Sequence, residues 1–207
     1  WSSDVCSSDL KEGIKADWSF HQHGPQQQFG NYGLSFICNM SFYSELFTGT
    51  TLAFSQEQQR ILTSLLLEGY QWIIWRGYWD VNALNRQLFR NADIDKGFSL
   101  LFAAHSLMKS SEPEVADQIK KMILRNSSFS QVPNSFTGNK HFRESDYTVH
   151  RTPTWLASVR MASERVIGTE LVNEDNLKGY YMADGALYTY VHGGEYHNIF
   201  PFWNWRR

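Results

Sequence analysis

Two cysteines, Cys6 and Cys38, in a chain of 207 residues are too few for a disulfide framework and lack the spacing of a metal site. They do not report a compartment. Basic residues are not in excess either. Nineteen Lys and Arg against 21 Asp and Glu leave a formal charge of -2, which excludes a general nucleic-acid or membrane-surface binder. A polyanion would have to be met by a local basic cluster. No apolar run approaches the length of a membrane span, and no motif recurs at a period of about 20 to 50 residues. No signal segment is recognisable, which carries little weight because the chain begins without Met.

Apolar and aromatic material is plentiful. A hydrophobic content of 42% suffices for a core, and the length allows one large domain or two modest ones. Aromatics reach 15% with eight Trp. Surplus Trp and Tyr can stack on sugar rings or bases, and large aromatic cores use them as often.

The first ten residues, "WSSDVCSSDL", match nothing after them and are set aside as a non-native lead, while the end "FPFWNWRR" stops without a turn. An internal piece of a longer protein is expected. From about residue 34 to 126 the pattern is helical. Ser55 and Gln58 form a capping-box signature before Leu62, Leu65, Leu66 and Ile73, and Ser111 and Glu114 do the same before Val115, Ile119, Met122 and Ile123. Between them, Phe98, Leu101, Phe102, His105 and Met108 mark another amphipathic helix. "NSSFSQVPNSFTGNK" then reads as a boundary. Beyond it the period becomes two: Trp155, Ala157, Val159 and Met161 alternate with polar neighbours, Asp184-Gly185 reads as a hairpin turn, and Gly193-Gly194 as another. The expectation is an α+β chain of two domains, helices over 11–127 and antiparallel strands over 128–207, meeting near residues 127 to 140.

"HQHGPQQQFGNYG", residues 21–33, holds four Gln, two His, an Asn and a Tyr, with Phe29 as its one purely apolar side chain. It is poor core and poor linker, so it reads as a structured loop presenting donors and acceptors. Its glycines suggest a fold tight enough to bring His23 and Tyr32 together. In "RGYWDVNALNRQLFR", Arg86 and Arg90 are four apart, which on a helix gives one face suited to carboxylate or sulfate; a solvated, acid-paired face explains the spacing equally well. In "GTELVNEDNLKG", Glu170, Asn173, Glu174, Asp175 and Asn176 cluster at the end of an expected strand, where an ordinary polar turn is the plainer reading.

Together these are the parts needed to remove a proton beside a carboxylate without a metal. The C5 proton of a uronic acid becomes acidic when charge developing on the adjacent carboxylate is stabilised by amide or cationic donors. A tyrosine is a poor base near neutrality unless positive charge favours its phenolate, which Arg and His can supply. Once protonated, it can pass that proton to the leaving glycosidic oxygen.

"DWSFHQHGPQQQFGNYG", followed by "NRQLFR", "RMASERVIGTELVNEDNLKGYYMADGA" and "HGGEYHNIFPFWNW", resembles polysaccharide lyase family 8, the hyaluronate, chondroitin AC and xanthan lyases. The resemblance covers nearly everything after residue 16. It implies the C-terminal part of an incomplete α/α toroid followed by the start of an antiparallel β-sandwich domain. The implied reaction is β-elimination on an acidic polysaccharide, with no cofactor or metal, by a monomer outside the cytoplasm. By motif, Tyr32 corresponds to the family's base and acid and His23 to the histidine assisting it. Arg86 corresponds to the arginine that polarises the tyrosine, Arg90 to a substrate contact, Glu170 to the glutamate orienting the arginine network, and Asn173 to a residue beside the substrate. Two departures stand out. The family's catalytic Asn, on a helix upstream of the His motif, is not in this chain, so this piece is expected to be inactive by itself. Position 85, where the family pattern has Gly, is Asn.

Two rivals stay open. A glycoside hydrolase would need two carboxylates across the scissile bond, with Asp17, Asp80 and Asp93 as candidates. A sugar-binding module could use Trp72, Trp75 and Trp79, which helical spacing would align in one stripe.

Overall fold

The computed structural model describes residues 12–127, 134–173 and 176–199. The lead, residues 128–133 of the expected boundary stretch, Glu174, Asp175 and the aromatic end therefore lie outside the described residues. A short antiparallel pair, β1 (Gly13–Ile14) and β2 (Phe20–His21), leads into a wide helical turn, Phe29–Gly33, that runs without a break into α1 (Leu34–Phe47). After α2 (Gln56–Ser64) the helix ends early. It passes through two short turns, Leu65–Gly69 and Tyr70–Trp72, into a hairpin of β3 (Ile74–Trp75) and β4 (Tyr78–Trp79). Two long helices, α3 (Ala92–Ser110) and α4 (Pro113–Asn126), complete this half. The second half is one antiparallel sheet in the order β5 (Gly138–Phe142), β6 (Tyr147–Arg151), β7 (Leu156–Met161), β8 (Asp184–Tyr190). The chain is thus α+β, helices first and sheet second.

The Ser55 capping box is present: the Ser55 hydroxyl accepts from Gln58 N at 3.2 Å, and Gln58 Oε1 accepts from Ser55 N at 2.9 Å. The one expected at Ser111 is not. There α4 begins with Pro113, which suits a first helical position, and the Ser111 hydroxyl turns back to donate to Leu107 O at 2.6 Å. The tryptophan stripe is also overturned. Arg76 and Gly77 both have positive φ, 51° and 87°, the conformation of a tight two-residue hairpin turn, so the chain reverses between Trp75 and Trp79. All three tryptophans are buried, which removes them as a sugar-stacking surface. On α3 the buried stripe is Leu100, Ala103, Ala104 and Leu107, while Phe98 and Phe102 face solvent. Small residues on the inner side let α3 pack closely against its neighbours, and the aromatics would not fit there.

The strands are inverted relative to expectation. In β7 it is Leu156, Ser158 and Arg160 that are buried, and Ala157, Val159 and Met161 are more open; in β6 the buried set is Tyr147, Val149 and Arg151. Asp184-Gly185 opens β8 after a turn over Gly179–Ala183 and is not a hairpin turn. The inward arginines explain the inversion. The irregular backbone between Gln71 and Asn85 leaves carbonyls without helical partners, and buried carbonyls need donors. Arg151 Nη1 donates to Gln71 O, Trp72 O and Ile74 O at 2.9, 3.1 and 2.9 Å, with its guanidinium 5.1 Å from the Trp75 ring centroid. Arg160 does the same one strand over. Between them Asp80 is fully enclosed and accepts from the hydroxyls of Tyr147 and Tyr190, the latter at 2.7 Å; burial pushes its carboxyl pKa up. One apolar cluster, from Ile14 through Trp79 to Tyr190, runs through helices and sheet alike.

Replacing Arg151 with Met keeps the stem and removes the donors of three buried carbonyls. Stability should fall by about 3 kcal/mol, read as a shift of the urea midpoint, and an unshifted midpoint would refute this account of the seam.

Candidate active site at the seam of helices and sheet

The polar loop is held in place by backbone before any functional side chain is considered. His21 pairs with Gln27 across the loop, Gln26 makes a parallel bridge with Ile167, and Ile167 N donates to Pro25 O at 2.9 Å. The loop therefore lies against the segment leaving β7, whose end carries Glu170. Glu12 clamps its outer side, accepting from Gln22 Nε2 and Gly24 N at 3.0 Å each. The following turn, which bears Tyr32, packs directly on the 81–85 turn. A Cβ on Gly30 would stand 2.6 Å from Ala83 O, so only glycine permits that approach.

Glu170 is the meeting point. Its Oε2 accepts from His23 Nδ1 at 2.5 Å; its Oε1 pairs with the Arg86 guanidinium and accepts from Gln28 Nε2 at 3.2 Å. Its own backbone N–H donates to Gln26 Oε1 at 2.6 Å. Glu170 and Arg86 side chains are 10% and 6% exposed, whereas that of His23 is 43% exposed. A carboxylate only accepts, so His23 presents Nδ1–H to it and leaves Nε2 for another partner. The Tyr32 ring stands edge-on to His23 with centroids 4.8 Å apart, and Arg86 Cζ lies 6.0 Å from the Tyr32 ring centroid. Four of the six expected residues, His23, Tyr32, Arg86 and Glu170, thus form one cluster.

The other two do not join it. Arg86 and Arg90 share no helix face, because the chain at 84–91 is a series of turns ahead of α3. Arg86 is buried, while Arg90 is exposed on a turn. The left-handed Asn85 (φ 56°) and Asn91 (φ 62°) break the helical course on either side of that stretch. Asn173 is exposed, also left-handed (φ 61°). Glu170 itself lies in an extended loop and not at a strand end.

Several residues that sequence reasoning passed over support the cluster. Asn85 takes a backbone conformation natural to glycine, which Asn tolerates, and its buried amide is in use: Nδ2 donates to Gln27 O at 2.5 Å, and Oδ1 accepts from Arg160 Nη1 at 2.8 Å. Gln28 Oε1 accepts from Asn31 at 2.9 Å and from Asn85 at 3.3 Å, which orients its amide nitrogen toward Glu170. The abundance of Gln in the loop was the available signal. The acids of the hydrolase reading are dispersed into structural roles. Asp17 accepts from Ser19 and Glu144 N, Asp80 is enclosed by two tyrosines, and Asp93 pairs with His197 Nδ1 at 3.0 Å. Among the described residues no group of three or more His, Cys, Asp and Glu is placed to hold a metal ion. None of the described helices is long and apolar enough to cross a membrane.

Fold and cluster define an α+β protein in which His23, Tyr32, Arg86 and Glu170 gather where a helical layer meets an antiparallel sheet. The chain belongs to polysaccharide lyase family 8: residues 3–125 match the family's N terminal alpha-helical domain and residues 137–207 its super-sandwich domain. It is 32% identical over 198 residues to chondroitinase-AC of Pedobacter heparinus, covering 94% of this chain and 28% of that protein. With the hyaluronate lyase of Thermasporomyces composti it shares 25% over 224 residues, 93% of this chain and 29% of the relative. The solved structure of a chondroitinase AC lyase, studied as oligosaccharide complexes, superposes with a TM-score of 0.79 at 28% identity, over 94% of this chain and 29% of that one. The chain spans under a third of the length of these relatives.

His21, two residues from His23, is the opposite kind of histidine. It is buried, its Nε2 lies 2.9 Å from the Ser145 hydroxyl, and burial, joined by the Lys15 charge, lowers its pKa to about 4. The unfolded chain binds that proton below about pH 6.5 and the native state does not, so stability is full above pH 6.5 and declines as pH falls toward 4, by about 3 kcal/mol in all. His21→Gln should flatten this part of the stability–pH curve. An unchanged slope in denaturation series at pH 7 and pH 4.5 would count against the assignment.

Proposed function

We propose that the protein to which this chain belongs is a lyase of uronic-acid-containing polysaccharide, of hyaluronan or chondroitin type, acting by metal-independent β-elimination. What supports the reading is one observation: a single carboxylate, Glu170, binds both His23 and Arg86, and the Tyr32 ring lies against both. The phenolate of Tyr32 takes the C5 proton of the uronate. The electron pair of that C–H bond forms the C4–C5 double bond as the C4–O bond breaks, and the tyrosine returns its proton to the leaving oxygen. The Arg86 guanidinium, 6.0 Å from the Tyr32 ring centroid, lies beside the tyrosine during this exchange. His23, oriented through Nδ1 by Glu170, offers Nε2 to the substrate. Arg90 and Asn173, both exposed, are assigned to substrate binding. Neutralising the uronate carboxylate needs an amide donor from upstream of the His motif, so this chain by itself should not turn over. We further infer that the protein works as a monomer outside the cytoplasm, where such polymers are met.

Tyr32→Phe in the intact protein keeps the ring and deletes both proton transfers. The loss of turnover should reach the upper end of roughly 10² to 10⁴-fold for acid–base assistance, or exceed it, with binding of uncleaved polymer little changed. His23→Ala should also slow turnover strongly, whereas His21→Gln should spare it. The measurement is formation of unsaturated chain ends by ultraviolet absorbance. Near-normal turnover in a folded Tyr32→Phe variant would remove the assignment, and saturated product ends would point to hydrolysis.

A further inference from the structure

Lys96, on the second turn of α3, is buried beneath the cluster. Its ammonium donates to Gly30 O and, at 2.5 Å, to Gln87 Oε1, with the Phe89 ring centroid 5.6 Å away. The two acceptors are not arbitrary. Gly30 lies two residues before Tyr32 in the same turn, and Gln87 directly follows Arg86. The side chain thus joins the segment that carries the phenol to the segment that carries the guanidinium, at a place where Gly30 and Ala83 are already in closest contact.

We propose that Lys96 is a positioning residue that holds the Tyr32-bearing turn in register with Arg86, an inference that rests on the lyase reading above. Burial, reinforced by the Arg86 charge and opposed by Asp95, lowers its pKa to about 8. A buried ammonium beside another cation is a burden to the fold, and an apolar side chain of the same length would fill the space without it. What an apolar side chain cannot do is bond both segments at once. Displacements of about 1 Å at reacting groups are enough to cost roughly 10²-fold in rate.

The test uses Lys96→Met and Gln87→Leu, the second cutting one arm while leaving the ammonium on Gly30. In the intact protein acting on chondroitin and hyaluronan, Lys96→Met should lower kcat by roughly 10 to 100-fold with KM within about threefold of the parent, and Gln87→Leu should fall between. In the intact protein, ring-to-ring nuclear Overhauser contacts of His23 with Tyr32 should weaken in Lys96→Met, while those of Phe142 with Tyr147 in the sheet persist. Unchanged kcat with intact His23–Tyr32 contacts overturns the proposal. So does loss of both sets of contacts, which would make Lys96 a general fold residue. If Lys96→Met does not fold, normal kcat and an undisturbed Tyr32 in Gln87→Leu overturn it instead. Should the parent cleave neither polymer, the lyase reading fails, and the ring contacts still decide whether Lys96 positions Tyr32.

Discussion

The arrangement depends on one buried guanidinium. Arg160, pointing inward from β7, donates to Asn82 O at 3.2 Å, to Asn85 Oδ1 at 2.8 Å and to Gly168 O. The first two belong to the turn that delivers Arg86, and the third lies two residues before Glu170. A single side chain therefore fixes both ends of the Arg86–Glu170 pair. Burial lowers its pKa to about 10, with Tyr147 and Asp80 opposing, so it remains a cation near neutrality. A cation so deeply enclosed is tolerable because its two Nη groups meet carbonyl and amide oxygens that would otherwise lack these donors.

That arrangement ties the cluster to the seam. The hydrogen-bonded path from Arg160 through Asn85 and Gln28 to Glu170, and from there to Arg86 and His23, passes back and forth between sheet and helical layer. Tyr32 needs no hydrogen bond in this path. It is placed by the close approach of Gly30 to Ala83, by the His23 ring and by the Arg86 charge. His23 and Tyr32 are the exposed members, and the buried Arg86 and Glu170 set their geometry. The cluster is therefore preorganised, its exposed rings held by charged groups that burial keeps in place.

The neighbouring histidines show how sharply environment divides identical side chains. His21 ends β2, sits under the sheet beside Ser145 and is held neutral by burial. His23 has turned into the left-handed region (φ 60°), which brings it to the surface and onto Glu170. The clamp of Glu12 on Gly24 N and Gln22 secures that reversal. Two positions along the chain separate a buried group from an exposed one.

The sequence by itself determined the order of helices and sheet, the Ser55 cap and the four residues that form the cluster, because local periodicity, capping chemistry and motif order are written in neighbouring residues. It misled wherever a long-range partner overrode a local pattern. Trp72, Trp75 and Trp79 have helical spacing, but the Arg76-Gly77 turn makes a hairpin of them. Ala157, Val159 and Met161 look like an inner face, but unsatisfied carbonyls across the seam draw Arg160 and Arg151 inward and turn the strands over. Arg86 and Arg90 look like a pair, but the non-helical course over 84–91 leaves one buried and the other exposed. Lys96 carries no local mark of its role, and Gln28 and Asn85, though noticed in the sequence, act through residues tens of positions away. Only the tertiary structure decides such contacts, because burial, and with it the demand that every polar group find a partner, exists only once the two layers have met.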